Sequence, residues 1–294
     1  MYKINAAAPV PGFDIIAVAG EYNSIGDNSS ISNTTIDIIP PDYPIFFWTT
    51  TLNPKDSVAY LNNPTPGTVN SAPVNLDCQA GTTCGINFST TFAKYYAANN
   101  LAPGRKILIV HGGYPSSGFT SSGTFLDYSG VYVTQNWLAN GSTNLLARLN
   151  QRISNCMATS ITQIATPKPG SVPPDDAQYD TYISNSAPAS NNKLVAVLWQ
   201  QGDTDAASTQ VTYKNNLNSL ISNMRTPAYA TNVPFIVGGL SPGRTAPGVK
   251  AALTSYAPAY ADSTNADYSG NNFTEIGQRY MGQKYYEAWV ASNV

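Results

Sequence analysis

The chain has 294 residues, a formal net charge of −2 and only 11% charged residues, well below the usual quarter or so. It carries no basic stripe, which argues against a nucleic-acid partner, and no apolar run approaching the roughly 20 residues that span a bilayer. Asn, Ser, Thr, Gly, Pro and Tyr take the place of the missing charges.

The opening MYKINAAAPVPGFDII lacks the apolar core of a secretory signal. Residues 1–12 read as an N-terminal arm and 13–294 as one domain. The first strand is expected at 13–19 (FDIIAVA) and the second at 44–49 (PIFFWT). The polar stretch 50–85 reads as a loop. Within it Cys78 and Cys84 flank QAGTT, and either close a disulfide or stand as two reduced thiols. Residues 88–99 set Phe88, Phe92, Tyr95 and Tyr96 at helical spacing. A third strand follows at 106–111 (KILIVH), then a polar loop at 114–140. Residues 142–161 form a helix with the stripe Leu145, Leu146, Leu149, Ile153 and Met157, in which Cys156 is expected to be buried and inert. The Pro-, Ser- and Asn-rich stretch 166–192 reads as irregular. A fourth strand is expected at 193–200 (KLVAVLWQ). The next helix, 209–225, carries Val211, Leu217, Leu220, Ile221 and Met224. A fifth strand is placed at 234–240, and a last helix at 274–291 carries Ile276, Tyr280, Met281, Tyr285 and Trp289. Each stripe is expected to face the core. Asn28, Asn33, Asn87, Asn140 and Asn272 head N-x-S/T triplets, which arise by chance in a chain of this composition.

Strands such as KILIV and KLVAVLW are continuously apolar, as parallel strands covered on both faces are. Their alternation with helices predicts an α/β fold: a single doubly wound, flavodoxin-like domain with a mostly parallel five-stranded sheet, helices on both faces and long polar loops. In such folds ligands bind beyond the carboxyl ends of the strands. Those ends lead into residues 20–26, 111–120, 200–205 and 240–244.

Two of these segments, and the start of the last helix, carry motifs. AVAGEYNSIG, residues 17–26, resembles the first block of the SGNH (GDSL-like) hydrolases, in the branch of sialate O-acetylesterases and related carbohydrate acetylesterases. LWQQGDTDA, residues 198–206, is similar to that branch's W-x-Q-G-E-x-D block. SGNNFTEIGQRYMGQKYYEAW, residues 269–289, resembles its D-x-x-H-F-T-x-x-G-x-R-x-x-G segment. The resemblance implies a Ser nucleophile, a His base and an orienting Asp, sharing the work as in any such triad. Here the nucleophile position is Tyr22, the base position Asn272 and the orienting position Ser269. Gly20, Asn23, Trp199, Gln201, Gly202, Asp205, Phe273, Thr274, Gly277, Arg279 and Gly282 match the family, while Glu21 stands for Gln and Asp203 for Glu. The small-residue oxyanion segment falls near YPSSGFT, residues 114–120, with Pro115 and Ser116 where Gly is expected.

An amide side chain accepts no proton, so Asn272 is no base. A phenol at its ordinary pKa of about 10 is a poor nucleophile without one. The rescue candidates are Ser24 and His111, the sole imidazole, although His111 is the better candidate for a side chain bonded to backbone. Glu21 with Asp203 or Asp205 is a weaker candidate for a glycosidase-type carboxylate pair. The same acids with Asp27 are a weaker candidate for a hard-cation site. Acids bonded to loop amides are the commoner arrangement, so no metal or cofactor is expected. Asp267 reads as solvated surface, Arg244 as a solvated loop residue or an anion holder. Trp48, Tyr114 and Trp137 are core residues or sugar-stacking rings.

The resulting expectation is a catalytically inactive SGNH-hydrolase-like domain, serving as a structural or glycan-recognition module. Its binding residues would be Glu21, Tyr22, Asn23, Gln201, Asp203 and Asn272. The alternative is a carbohydrate O-acetylesterase with a non-standard catalytic set. Low charge and polar loops suggest an extracellular or particle (virion) surface, with a glycan and particle or capsid proteins as partners.

Overall fold

The computed structural model describes residues 10–26, 36, 45–48, 58–60, 86–120, 123–126, 132–138, 145–158 and 191–293. Cys78, Cys84, Asp27, Asn28, Asn33, Asn140 and all but the end of the stretch 166–192 lie outside them.

The central strand, β1 (Gly12–Gly20), is buried along its whole length. Its side chains alternate between two cores, as the two-residue period of a strand requires. Phe13, Ile15, Ala17 and Ala19 face one core, and Ile16 and Val18 face the other. Beyond β1 come the helical turn α1 (Tyr22–Ile25), β2 (Ile45–Trp48), β3 (Val58–Tyr60), α2 (Phe88–Asn99) and β4 (Arg105–His111). The hairpin β5 (Gly123–Leu126) and β6 (Tyr132–Gln135) precedes α3 (Leu145–Ala158) and β7 (Lys193–Gln200). Then follow α4 (Gln210–Met224), β8 (Phe235–Gly238), α5 (Pro247–Thr254), β9 (Tyr260–Ala261), the small hairpin β10 (Tyr268–Ser269) and β11 (Asn272–Phe273), and α6 (Glu275–Ser292).

The main sheet runs β3-β2-β4-β1-β7-β8-β9. All neighbours are parallel except β3, which is antiparallel to β2. Residues of α3, α4 and α5 cover the Phe13 side, and those of α2 and α6 the Ile16 side. This is the doubly wound α/β arrangement expected, with seven strands in the sheet rather than five. The two extra strands are edges of three and two residues, too short to show a period. The loop expected at 114–140 likewise contains the β5–β6 hairpin.

The helix starts have physical signatures. Asn87, Thr209 and Thr274 each accept a hydrogen bond from an amide of the first turn, which satisfies one of the otherwise unpaired donors there. Three stripe residues do not face the core: Val211 is 68%, Ile276 57% and Tyr95 37% exposed. At about 100° per residue Val211 and Ile276 lie roughly 150° round their helices from the buried row, and Tyr95 stacks on Tyr286 at the surface. Cys156 is buried, as expected. At the far end of the sheet from the motif loops, Arg105 Nε meets the fully buried Asp14 at 2.6 Å, and Tyr96 donates to the same carboxylate. That pairing compensates the burial of charge at the start of β1.

Candidate functional site

The chain leaves β1 toward one side of the sheet and β7 toward the other, so their carboxyl ends flank a topological switch point. The loops after these two strands form the candidate site. Gly20 makes the turn possible. Its φ is +133°, and a Cβ there would lie 1.9 Å from the Gln200 carbonyl oxygen. Glu21 N–H donates to that same carbonyl, so the first loop is sewn to the end of β7.

Glu21 is fully buried and lies at the centre of the second loop. Its Oε1 accepts from Gly202 N and Thr204 N, both at 2.9 Å, and from Gln201 Nε2 at 3.3 Å. Its Oε2 accepts from the Thr204 hydroxyl. Burial, and then the neighbouring Asp203 charge, push the Glu21 carboxyl up to about 7 against the pull of these donors. Burial likewise raises Asp203 to about 6, opposed by the Arg244 charge. Asp205 accepts from Phe119 N and Gln201 Nε2 at 2.7 Å each. Tyr213 donates to Gln201 Oε1 at 2.8 Å. These acids therefore hold loop amides, and among the described residues no cluster of three His, Cys, Asp or Glu could hold a metal ion.

Asn23 joins the first and last motif blocks. Its Oδ1 accepts from Phe273 N at 2.8 Å, and its Nδ2 donates to Asn271 O and to Asp203 Oδ2, both at 3.3 Å. Gln278 on α6 reaches back to Asn23 O at 3.1 Å. Asn272 is thus gripped on both sides beside Tyr22. Across the β10–β11 hairpin, Asn272 is the register partner of Ser269. The three substituted triad positions sit on two segments that the fold ties together. Glu21, Asn23 and Gln201 are fully buried and Asp203 nearly so, while Tyr22 and Asn272 are half-buried. Of the six residues expected to bind, these last two present the most surface.

The Tyr22 hydroxyl is hydrogen-bonded to Ser116 Oγ, on the segment aligned with the oxyanion donors. Ser116 adopts φ 54°, a left-handed conformation, and Pro115 has no amide hydrogen to offer. The rescue pair is not assembled. Ser24 is fully buried and donates its hydroxyl to Glu21 O at 2.6 Å. Gly113 closes over it, for a Cβ there would lie 1.9 Å from Ser24 Oγ. His111 Nε2 lies 3.0 Å from the Ser24 carbonyl oxygen. A carbonyl only accepts, so Nε2 carries the proton. Burial pushes this imidazole down to about 4, and it anchors backbone, as expected.

That depressed pKa has a consequence for stability. His111 stays neutral in the fold but takes up a proton below about 6.5 once unfolded, so its contribution is lost as pH falls from 6.5 toward 4. Replacing His111→Gln, which retains a donor, is expected to make the protein less sensitive to acid. At pH 5 it should recover about 1–2 kcal/mol relative to its effect at pH 8, read from urea unfolding at both pH values.

The other candidates are placed as follows. Trp48, Tyr114 and Trp137 are core residues, at most 7% exposed, so none is a sugar-stacking ring; Trp137 Nε1 donates to Ser117 Oγ. Asp267 is exposed and accepts from the Thr274 hydroxyl at the head of α6. Arg244 lies beside Asp203 and donates to its carbonyl. One exposed aromatic at the site, Tyr268, had no signal in the sequence. It is 45% exposed and follows no motif position.

Residues 155–291 match the family described as carbohydrate esterase, sialic acid-specific acetylesterase. A solved protein of Arabidopsis thaliana is similar over 96% of this chain and 98% of its own, at 16% identity and a TM-score of 0.60. NanS is similar over 97% and 98%, at 12% identity and a TM-score of 0.62. No curated protein matches the chain. The family match and the shared fold bear out the resemblance to the sialate O-acetylesterase-like branch of the SGNH hydrolases.

Proposed function

We propose that this chain, with its SGNH fold of the sialate O-acetylesterase-like branch, is a glycan-recognition module that no longer hydrolyses esters. One observation carries the reading. The position of the general base holds Asn272, and the sole imidazole, His111, is buried and occupied with the Ser24 carbonyl. Acyl transfer through a serine needs a proton acceptor beside a free hydroxyl. Here the buried serine hydroxyl is turned to Glu21 O, and the phenol at position 22 is bonded to Ser116.

The retained framework supports recognition rather than bare scaffolding. The loops are cross-braced by buried polar side chains, while Tyr22 and Asn272 remain half-open at the carboxyl ends of the strands, where ligands of such folds bind. The low charge and amide-rich composition support an extracellular or particle-surface setting.

The expected result is no release of acetate from O-acetylated sugars, or of nitrophenol from p-nitrophenyl acetate, above a denatured control. Turnover that disappears in His111→Ala, with folding intact, would instead establish the alternative: an O-acetylesterase with a non-standard catalytic set.

A further inference from the structure

Two carboxyl groups meet where the loops after β1, β7 and β8 join. Glu21 Oε1 takes three N–H donors, from Gly202, Thr204 and Gln201. These fill the oxygen, so a proton on this carboxyl belongs on Oε2, which faces the Thr204 hydroxyl. A hydroxyl donates or accepts. Protonated Oε2 therefore donates to Thr204 Oγ, ionised Oε2 accepts from it, and the other contacts are kept. What differs is the charge. Among the described residues no cation is within ion-pair distance of Glu21, and Arg244 is spent on Asp203.

Asp203 is the movable member. Glu21 is fully buried and bonded to two amides at 2.9 Å, whereas Asp203 is 8% exposed. The Asp203 side chain is held at 3.3 Å by Asn23 Nδ2 and lies 3.6 Å from Arg244 Nε. The same Asn23 Nδ2 reaches Asn271 O, so Asp203 helps to set the amide that grips the β10–β11 turn. Other charged or titratable groups face the pair. Asp205 is bonded to Phe119 N and Gln201 Nε2, Lys250 on α5 acts with Arg244 on Asp203, and burial keeps the Tyr213 phenol on α4 neutral. None of them brings a cation to Glu21.

We propose that Glu21 and Asp203 form a pH-operated latch on the candidate site. With a proton on Glu21 Oε2 the loops stay joined through Asn23. When that proton passes to solvent, the second negative charge drives the Asp203 side chain outward, away from Asn23, and loosens the β10–β11 turn. The test is amide hydrogen exchange at pH 6 and 8, corrected for the intrinsic pH dependence. Segments 20–26, 200–205 and 268–274 of the wild type should open about ten-fold more often at pH 8, the linkage of a carboxyl at about 7 in the closed latch and 4.5 in the open one. In Glu21→Gln, whose amide copies the protonated carboxyl, they should open equally at both. Dilute urea should leave these rates unchanged while speeding exchange in β4, the mark of local opening. Equal protection at both pH values in the wild type, the same ten-fold change in Glu21→Gln, or a urea dependence equal to that of β4 each overturns the latch. Its bearing on the ligand rests on the glycan-recognition reading, since Tyr22 and Asn272 adjoin the loosened bonds. On an array of neutral and sialylated glycans the wild type should bind more weakly at pH 8 than at pH 6, and Glu21→Gln equally. Absence of binding at both pH values overturns the recognition reading and leaves the latch standing on the exchange rates. Binding unchanged by pH, with exchange ten-fold faster, overturns its control of the site.

Discussion

The triple variant Tyr22→Ser, Ser269→Asp, Asn272→His is expected to hydrolyse p-nitrophenyl acetate about 100-fold faster than the wild-type protein, the lower end of what general acid–base catalysis supplies. The geometry is the reason. The β10–β11 register already sets position 269 opposite position 272, so a carboxylate at the first faces an imidazole at the second. Asn23 holds both flanks of 272 next to position 22. Replacing the phenol also removes its bond to Ser116 and opens the space an acyl group needs. Each single substitution should give no gain, because triad members act as a unit. The gain is held to the lower end because Pro115 offers no amide to the oxyanion. A folded triple variant, matching the wild type by circular dichroism and melting, that gives no turnover would mean that the hydrolytic framework has been lost along with its side chains.

Glu21→Gln is expected to stabilise the protein by about 3 kcal/mol at pH 8 and by almost nothing at pH 4. Glu21 is held at about 7 in the fold against an ordinary 4.5. Between those values the native state keeps a proton that the unfolded chain releases. Stability is therefore fully present below about 4.5, falls as pH rises through that window, and is lost above about 7. Asp203, raised from 3.8 to about 6, acts in the same direction, and His111 acts in the opposite one. The difference between variant and wild type reports Glu21 together with its coupling to Asp203, free of His111. The replacement fits the site. Its carbonyl oxygen accepts from Gly202 N and Thr204 N, and its amide donates to the Thr204 hydroxyl that the carboxylate now receives. Urea unfolding at pH 4, 6 and 8 is the measurement. A constant difference across that range would mean that Glu21 titrates in the fold as it does in water.

The central strands were legible because full burial on both faces writes itself as unbroken apolar runs; β7 begins and ends where the run KLVAVLWQ does. The edge strands were not, since Tyr260–Ala261 is too short to have a period. The helices expected from Thr209 and Thr274 by their apolar stripes begin within one residue of those positions, where both threonines turn out to be caps. The site divides in the same way. Positions 22, 269 and 272 followed from local motifs, and the fold brings their segments together. Trp137, in contrast, stands in a polar stretch yet is buried against Trp199, because sequence neighbours do not report what packs on a side chain from elsewhere. Tyr268 was invisible for the same reason: its ring packs against Gly243, 25 positions earlier in the chain.

The bonds from Asn23 to Phe273 and Gln278 span 250 and 255 residues. β1 itself pairs with strands from residues 105–111 and 193–200. β1 lacks its β7 neighbour until residues 193–200 have been made, and the bond from Gln278 to the loop after β1 cannot form until α6 has been made. Such distant pairings slow folding and leave apolar segments exposed to neighbouring chains. Loss of α6 would remove the clasp that joins the first and last motif segments.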